Sequence, residues 1–247
     1  MNHHSHRRRL VSVLSLLLVA ANVSFAQEKS VNPGINDSYK DPNPTEFTKR
    51  FETESREIFA NRDKIVEACD VKRGLAIADV GAGTGLFTRL FAREVGADGK
   101  VYAVDIAPNF IKHIEKTAKE RGINNVQAIV CTADSSNLPE NSTDLAFICD
   151  TYHHFEFPGK TMTSIHRALR PGGRVVVIDF HRIEGVSSDW ILGHVRAGQD
   201  VFRSEIESAG FKLAAEPKFL KENYFMIFEK ADAPKPEPSD AKASEGR

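Results

Sequence analysis

Residues Ile77 to Phe91 read IADVGAGTGLFTRLF. Gly81, Gly83 and Gly85 alternate with the small residues Ala82 and Thr84. They come directly after the apolar run Leu75 to Val80 and directly before a helical pattern over Gly85 to Val95. A glycine-rich turn between a strand and a helix strips the backbone of side chains, so a ligand can lie against main-chain amides and the helix N-terminus. Taken alone, the stretch reads equally well as a plain tight turn.

The rest of the chain repeats the strand-then-helix rhythm. Val101 to Asp105 reads as a second strand, followed by a helix over Asn109 to Arg121 that opens just after Pro108. Val126 to Cys131 and Leu145 to Cys149 read as the third and fourth strands. A helix over Thr161 to Leu169 is stopped by Pro171-Gly172-Gly173, and Arg174 to Phe180 is the fifth strand. A last helix over Asp200 to Ala209 and two strands, Phe211 to Ala215 and Asn223 to Glu229, close the pattern. Ahead of it, Phe47, Phe51, Ile58, Phe59, Ile65 and Val66 predict one or two helices over Glu46 to Ala68. Continuous apolar strands alternating with helices predict an α/β fold: a doubly wound, Rossmann-like, mostly parallel sheet with helices on both faces.

Two strand ends beyond the glycine turn carry carboxylates. Asp105 ends the second strand, where it can accept both hydroxyls of a ribose. Asp134, in CTADSSNLP after the third strand, can accept from an exocyclic amine. A backbone cradle, a ribose acceptor and a base acceptor then share the carboxyl edge, where open α/β sheets bind ligands. A nucleoside cofactor follows. The dinucleotide fingerprint G-x-G-x-x-G/A does not fit, because Leu86 occupies its third position and Gly85 falls one residue early. Asp79, just before the turn, suits a cation better than a pyrophosphate.

The set resembles the class I S-adenosylmethionine-dependent methyltransferases. ADVGAGTG is similar to their first motif, VYAVDIA to the strand with the ribose acid, and TADSSNLP to the adenine loop. DLAFICDTYHHF is similar to the fourth-strand motif and ALRPGGRVVVIDF to the turn into the fifth strand. The resemblance covers Ile65 to Glu229 and implies a seven-stranded sheet with a reversed last strand. It further implies S-adenosyl-L-methionine as cofactor. Asp79 and the backbone of Gly81, Ala82, Gly83 and Gly85 would hold its methionine end, and Asp105 the ribose. Ile106 would pack on adenine, and Asp134 would accept from its amine beside Ala133.

Methyl transfer is an in-line displacement at an activated sulfonium, so alignment supplies much of the rate, and a base is needed only for a protonated acceptor. Candidate catalytic residues follow the fourth and fifth strands: Asp150, His153, His154 and His181, with Tyr152 and Arg182 as substrate contacts. Each has a plainer reading. Asp150 would hydrogen-bond backbone amides or the cofactor's amino group, either histidine would be a partly buried packed ring, and Arg182, Arg196 and Tyr152 would be solvated surface groups. His153 and His154 with His181 and His194 also raise a metal site, but their spacing is not diagnostic and no metal is expected. His113 and His166 fall in helices and read as structural.

The ends carry other signals. Arg7 to Arg9, the apolar stretch Leu10 to Val23 and Ser24-Phe25-Ala26 predict a signal peptide over 1–26. The expected product is an exported chain, periplasmic or secreted, starting at Gln27. An uncleaved membrane anchor is the alternative. A flexible linker over 27–45, a domain over 46–230 and a disordered tail over 231–247 complete the division. A net charge of −1 in 247 residues gives no basic excess for nucleic acid or an anionic membrane, so a small-molecule or lipid-like partner is expected. Of the three cysteines, Cys131 and Cys149 end strands three spacings apart, too far for a disulfide, and Cys69 is left single. Besides an active methyltransferase, two other classes stay open. One is a nicotinamide-dependent oxidoreductase; the other is a binding protein that keeps the fold without catalysis, because S-adenosylmethionine is made inside cells.

Overall fold

The computed structural model describes residues 29–231. The expected signal segment 1–26 and residues 232–247 of the expected tail lie outside the described residues. Helix α1 (Pro44–Phe51) is followed by the short α2 (Glu57–Ala60) and α3 (Arg62–Ala68). Strand β1 (Ala76–Val80) leads into α4 (Leu86–Val95), and β2 (Lys100–Asp105) into α5 (Pro108–Glu120). Strand β3 (Val126–Val130) leads through a loop to β4 (Thr143–Cys149). A 3₁₀ turn (Tyr152–His154) precedes α6 (Pro158–Ala168), β5 (Leu169–Phe180), α7 (Asp189–His194) and α8 (Gln199–Ser208). The strands β6 (Phe211–Ala215) and β7 (Asn223–Lys230) follow.

The seven strands form one sheet in the order β3-β2-β1-β4-β5-β7-β6. Strand β7 runs antiparallel to both of its neighbours, and the pairs from β3 to β5 are parallel. This is the doubly wound sheet with a reversed last strand that the sequence predicts. Its order reverses between β1 and β4, which opens a crevice at their carboxyl ends.

Every residue of β1 is buried because both faces of the sheet are covered. Ala78 and Val80 face Met162 and Ile165 of α6 and Phe202 and Ile206 of α8. Ile77 faces Phe87, Phe91 and Val95 of α4 with Ile65 and Val66 of α3. Successive side chains of a strand point to opposite faces, so one short apolar run feeds two core layers. Pro108 and Pro158 open α5 and α6, where a missing N–H costs nothing. The Pro-Gly-Gly run read as a helix stop lies inside β5 as an irregularity: Thr143 pairs with Leu169, but Leu145 pairs with Arg174. Cys69, Cys131 and Cys149 are free thiols, with Cys131 just past β3 and Cys149 at the end of β4, two strands separated by β2 and β1. Among the described residues, no helix is long and apolar enough to cross a membrane.

The segment expected to be a flexible linker folds back on the domain within its described part. The Val31 N–H donates to the Glu156 carbonyl at 3.0 Å, and the Asn36 side chain donates to the His154 carbonyl at 3.1 Å. The Tyr39 ring packs against Phe47 and Phe110 with centroids at 5.5 and 6.4 Å. Helix α1 already begins at Pro44, with Asn43 capping it. Single aromatic and amide contacts hold this arm, and they leave no periodic trace in the sequence.

Candidate functional site

At the switch point lies a cavity of about 360 Å³, within the range of small-molecule sites. Its floor is the glycine turn. Gly81 has φ +76°, and a Cβ there would fall 2.2 Å from Thr151 Cγ2, so only a bare backbone fits beside the β4 loop. Gly83 has φ +53°, and a Cβ there would come no nearer than 3.9 Å to any atom. Its freedom serves a ligand rather than the packing. Gly85, at φ +78°, is the N-cap of α4 and lies behind the cavity wall.

Asp79 and Asp105 reach the cavity from the ends of β1 and β2. Asp79 is buried, and the Thr88 hydroxyl donates to it. Burial pushes its pKa up to about 7, against the pull of the Thr88 hydrogen bond. Asp105 accepts the backbone N–H groups of Gly83 and Ala107, both at 2.8 Å, one on each carboxylate oxygen. Burial raises its pKa to about 6 despite these donors. A carboxylate has about four lone-pair sites, so the two that remain can serve a diol. Ile106, Ala82 and Ala133 also line the cavity. Asp134 does not. It sits at the tip of the tight turn closed by Thr132 and Ser135, where it accepts from the Thr132 hydroxyl at 2.9 Å and faces Lys160 at 3.6 Å. The base-acceptor assignment is therefore corrected: the wall there is Thr132, Ala133, Ser135 and Ser136.

On the far side of the glycine turn, the structure divides the expected acceptor residues. Asp150, His153 and His154 line the cavity. Asp150 is held by the Arg56 guanidinium and by the Asn223 amide at 2.7 Å, and burial raises its pKa to about 6 against the Arg56 charge. It is an anchor between the N-terminal segment and β7. His153 is buried, with Nδ1 2.8 Å from Asp179 Oδ1. Burial resists its charging, but the Asp179 carboxylate outweighs that and raises its pKa. His154 is held neutral, its pKa lowered to about 2 by burial and by its neighbours His153 and His194.

Tyr152, His181 and Arg182 lie elsewhere. Tyr152 is 0% exposed, packed in the core at a tilt against Phe155 and Phe202, and its hydroxyl donates to Glu205. The tight 3₁₀ turn sends Tyr152 to the core layer and the two histidines to the cavity. His181 packs on Tyr224 outside the cavity. Arg182 donates to the carbonyls of Leu192 and Val195 and so caps the end of α7. Arg196 is paired with Glu205. His194, by contrast, joins His153 and His154.

Residues 78–177 match the family model described as a methyltransferase domain. Over this stretch the chain is similar to methyltransferase domains. Over 118 residues it is 31% identical to the ubiquinone/menaquinone biosynthesis C-methyltransferases of Idiomarina loihiensis and Escherichia coli, covering 47% of this chain and 47% of each relative. The chain thus spans about half the length of the curated relatives it matches. A solved S-adenosylmethionine-dependent methyltransferase from Aquifex aeolicus shares the fold, with a TM-score of 0.68 at 21% identity over 77% of this chain and all of that one. A methyltransferase bound to its Trm112 activator, from Haloferax volcanii, overlays with a TM-score of 0.65 at 15% identity, covering 81% and 98%.

The cradle above Gly83 with the spare acceptors of Asp105 fits S-adenosylmethionine, the cofactor on which the Aquifex aeolicus neighbour depends. Several lining residues escaped the sequence reading: Tyr39, Arg50, Phe51, Arg56, Phe110, Thr151 and Trp190. Helix α1 is fastened over the glycine turn by Glu52, which accepts from Arg89 at 2.7 and 2.8 Å and from the Thr84 hydroxyl at 2.8 Å. The sequence signals for this cover were the Phe47–Phe51 spacing and the lone tryptophan.

Proposed function

We propose that this protein transfers the methyl group of S-adenosylmethionine to a small, largely apolar, lipid-like acceptor. One observation carries the reading. The cavity that holds the glycine turn and Asp105 continues without a break to an apolar wall made by Phe155, Phe180 and Trp190. Trp190 is 51% exposed, so part of that apolar wall is open to solvent. The names of the relatives, C-methyltransferases of ubiquinone/menaquinone biosynthesis, agree with a lipid-like acceptor.

The cofactor supplies a methyl group already activated on a sulfonium. The protein's part is alignment and exclusion of water. Asp79 and the turn amides hold the methionine end, Asp105 the ribose, Ile106 and Ala133 the base. Asp150, through Arg56 and Asn223, fixes the loop that carries His153 and His154 beside the acceptor. Incubating the protein with labelled S-adenosylmethionine and a panel of phenols, quinols and polar amines tests this. Label is expected in an apolar ring compound. Transfer only to polar amines, or to nothing while the cofactor binds, would overturn it.

We also propose that the chain is exported and cleaved after Ala26. Arg7 to Arg9, the short apolar core and the small residues at Ser24 and Ala26 support this. Fractionation with N-terminal sequencing decides it; a cytosolic chain beginning at Met1 would make it wrong.

A further inference from the structure

The three histidines at the cavity's acceptor end come from two separate parts of the chain. His153 and His154 lie in the turn after β4, and His194 ends α7. One imidazole nitrogen from each lies within 4.8 Å of the other two. Their ring centroids are 4.3, 5.1 and 5.1 Å apart. We propose that His153, His154 and His194 bind one divalent cation of the zinc class and leave its remaining coordination position open to the cavity.

The donor set selects that class. Three imidazoles without a thiolate or a carboxylate ligand suit zinc and its transition-metal neighbours, not magnesium or calcium. A site with three protein ligands is of the open kind, which keeps a place for water or substrate. All three rings line the cavity, so the open place faces the acceptor.

The surroundings are those of ligands rather than of rings that merely fill space. Nδ1 of His153 sits 2.8 Å from Asp179, a fully buried carboxylate that also accepts the N–H groups of His153 and Phe180. That contact makes Nδ1 the donor and leaves the lone pair on Nε2, the arrangement that orients metal-binding histidines. Nδ1 of His154 is buried with no hydrogen-bond partner among the described residues. A packing role leaves that nitrogen unexplained, whereas a metal would satisfy it. The rings are also held in place. His154 meets the edge of Tyr39 with centroids at 5.1 Å, and His194 stacks on Trp190 at 4.7 Å. Tetrahedral zinc with bonds of about 2.0–2.1 Å places its ligand nitrogens roughly 3.3 Å apart. Side-chain rotation, chiefly of the half-buried His194, closes the remaining gap.

Metal binding needs no methyl donor. Its consequence for the acceptor, recognition of an ionisable oxygen at the open position, rests on the proposed methyl transfer. The test uses the full chain with His3, His4 and His6 replaced by Ala, because those imidazoles compete for the same ions. Stripped of metal, this protein is titrated with Co²⁺, followed by visible absorption, and then with Zn²⁺ in competition. One equivalent is expected to bind with the intense bands of a low-coordinate site. His194→Ala and His154→Ala should each weaken binding by more than ~100-fold, and Asp179→Asn by ~10–100-fold. His113→Ala should change nothing. Near-UV circular dichroism of His194→Ala, whose ring is only half-buried, separates loss of a ligand from loss of fold. Absence of stoichiometric binding, or equal binding in the folded His194→Ala variant, would overturn the site, whether or not the protein transfers methyl groups.

Discussion

One carboxylate oxygen of Asp105 accepts the backbone N–H of Gly83 at 2.8 Å, so the acid at the end of β2 shapes the glycine turn at the end of β1. The other oxygen holds Ala107. Asp105 is thus a structural tie and a ligand acceptor at once. Asp105→Asn replaces one acceptor by a donor facing a backbone N–H. It should cost about 1–3 kcal/mol of stability in urea denaturation.

Part of the pH dependence follows from Asp105 and from Asp79 at the neighbouring strand end. Burial raises the pKa of Asp79 to about 7 and that of Asp105 to about 6, above the ordinary 3.8. The folded protein therefore holds protons that the unfolded chain has released. The stability these groups contribute is present near pH ~4 and falls as pH rises to ~7. A cationic cofactor prefers the ionised acids, so its affinity should rise over the same window. Urea midpoints compared between wild type and Asp79→Asn check the first claim. The variant's curve should be flatter, and parallel curves would contradict it.

Gly81→Ala places a Cβ 2.2 Å from Thr151 Cγ2 at φ +76°. The left-handed backbone alone costs ~1–2 kcal/mol, and the clash adds to it. Thermal melts should show a clear loss, partly restored by adding Thr151→Ala. Full restoration would mean that the backbone angle carries no cost.

Glu52 and Arg89 are mostly buried, and their pairing fastens α1 over the turn. Glu52→Ala should lower stability by about 1–3 kcal/mol. It should also expose Arg50 to trypsin and weaken cofactor binding. Unchanged proteolysis would show that the cover is held by its aromatic residues alone.

On the acceptor side, His154→Ala should lower turnover by ~10²-fold and leave cofactor affinity nearly unchanged. His181→Ala, outside the cavity, should leave both within about twofold. Single-turnover assays separate the two effects.

The sheet was legible because burial on both faces writes itself as unbroken apolar strands such as Ala76–Val80 and Val175–Ile178. Asp79 and Asp105 were legible because strand ends fall at one edge by topology. Contacts across long sequence separations were not. Arg56 meets Asp150, Glu52 meets Arg89, and Tyr39 meets His154, each through single side chains with no period. Tyr152 misled because adjacent residues of a tight turn diverge: its ring enters the core, while His153 faces the cavity. Asp134 misled because its motif sits at a turn tip, where the neighbours Ala133 and Ser135 face inward instead.

Calorimetry of the full chain with S-adenosylmethionine, with NAD, and with the Asp105→Ala variant tests the central claim most directly. S-Adenosylmethionine should bind about one to one, roughly 30-fold more weakly in the variant, a loss of about 2 kcal/mol. NAD should not bind measurably. NAD binding without S-adenosylmethionine binding, or an Asp105→Ala variant that binds the cofactor as tightly as wild type, would contradict the account.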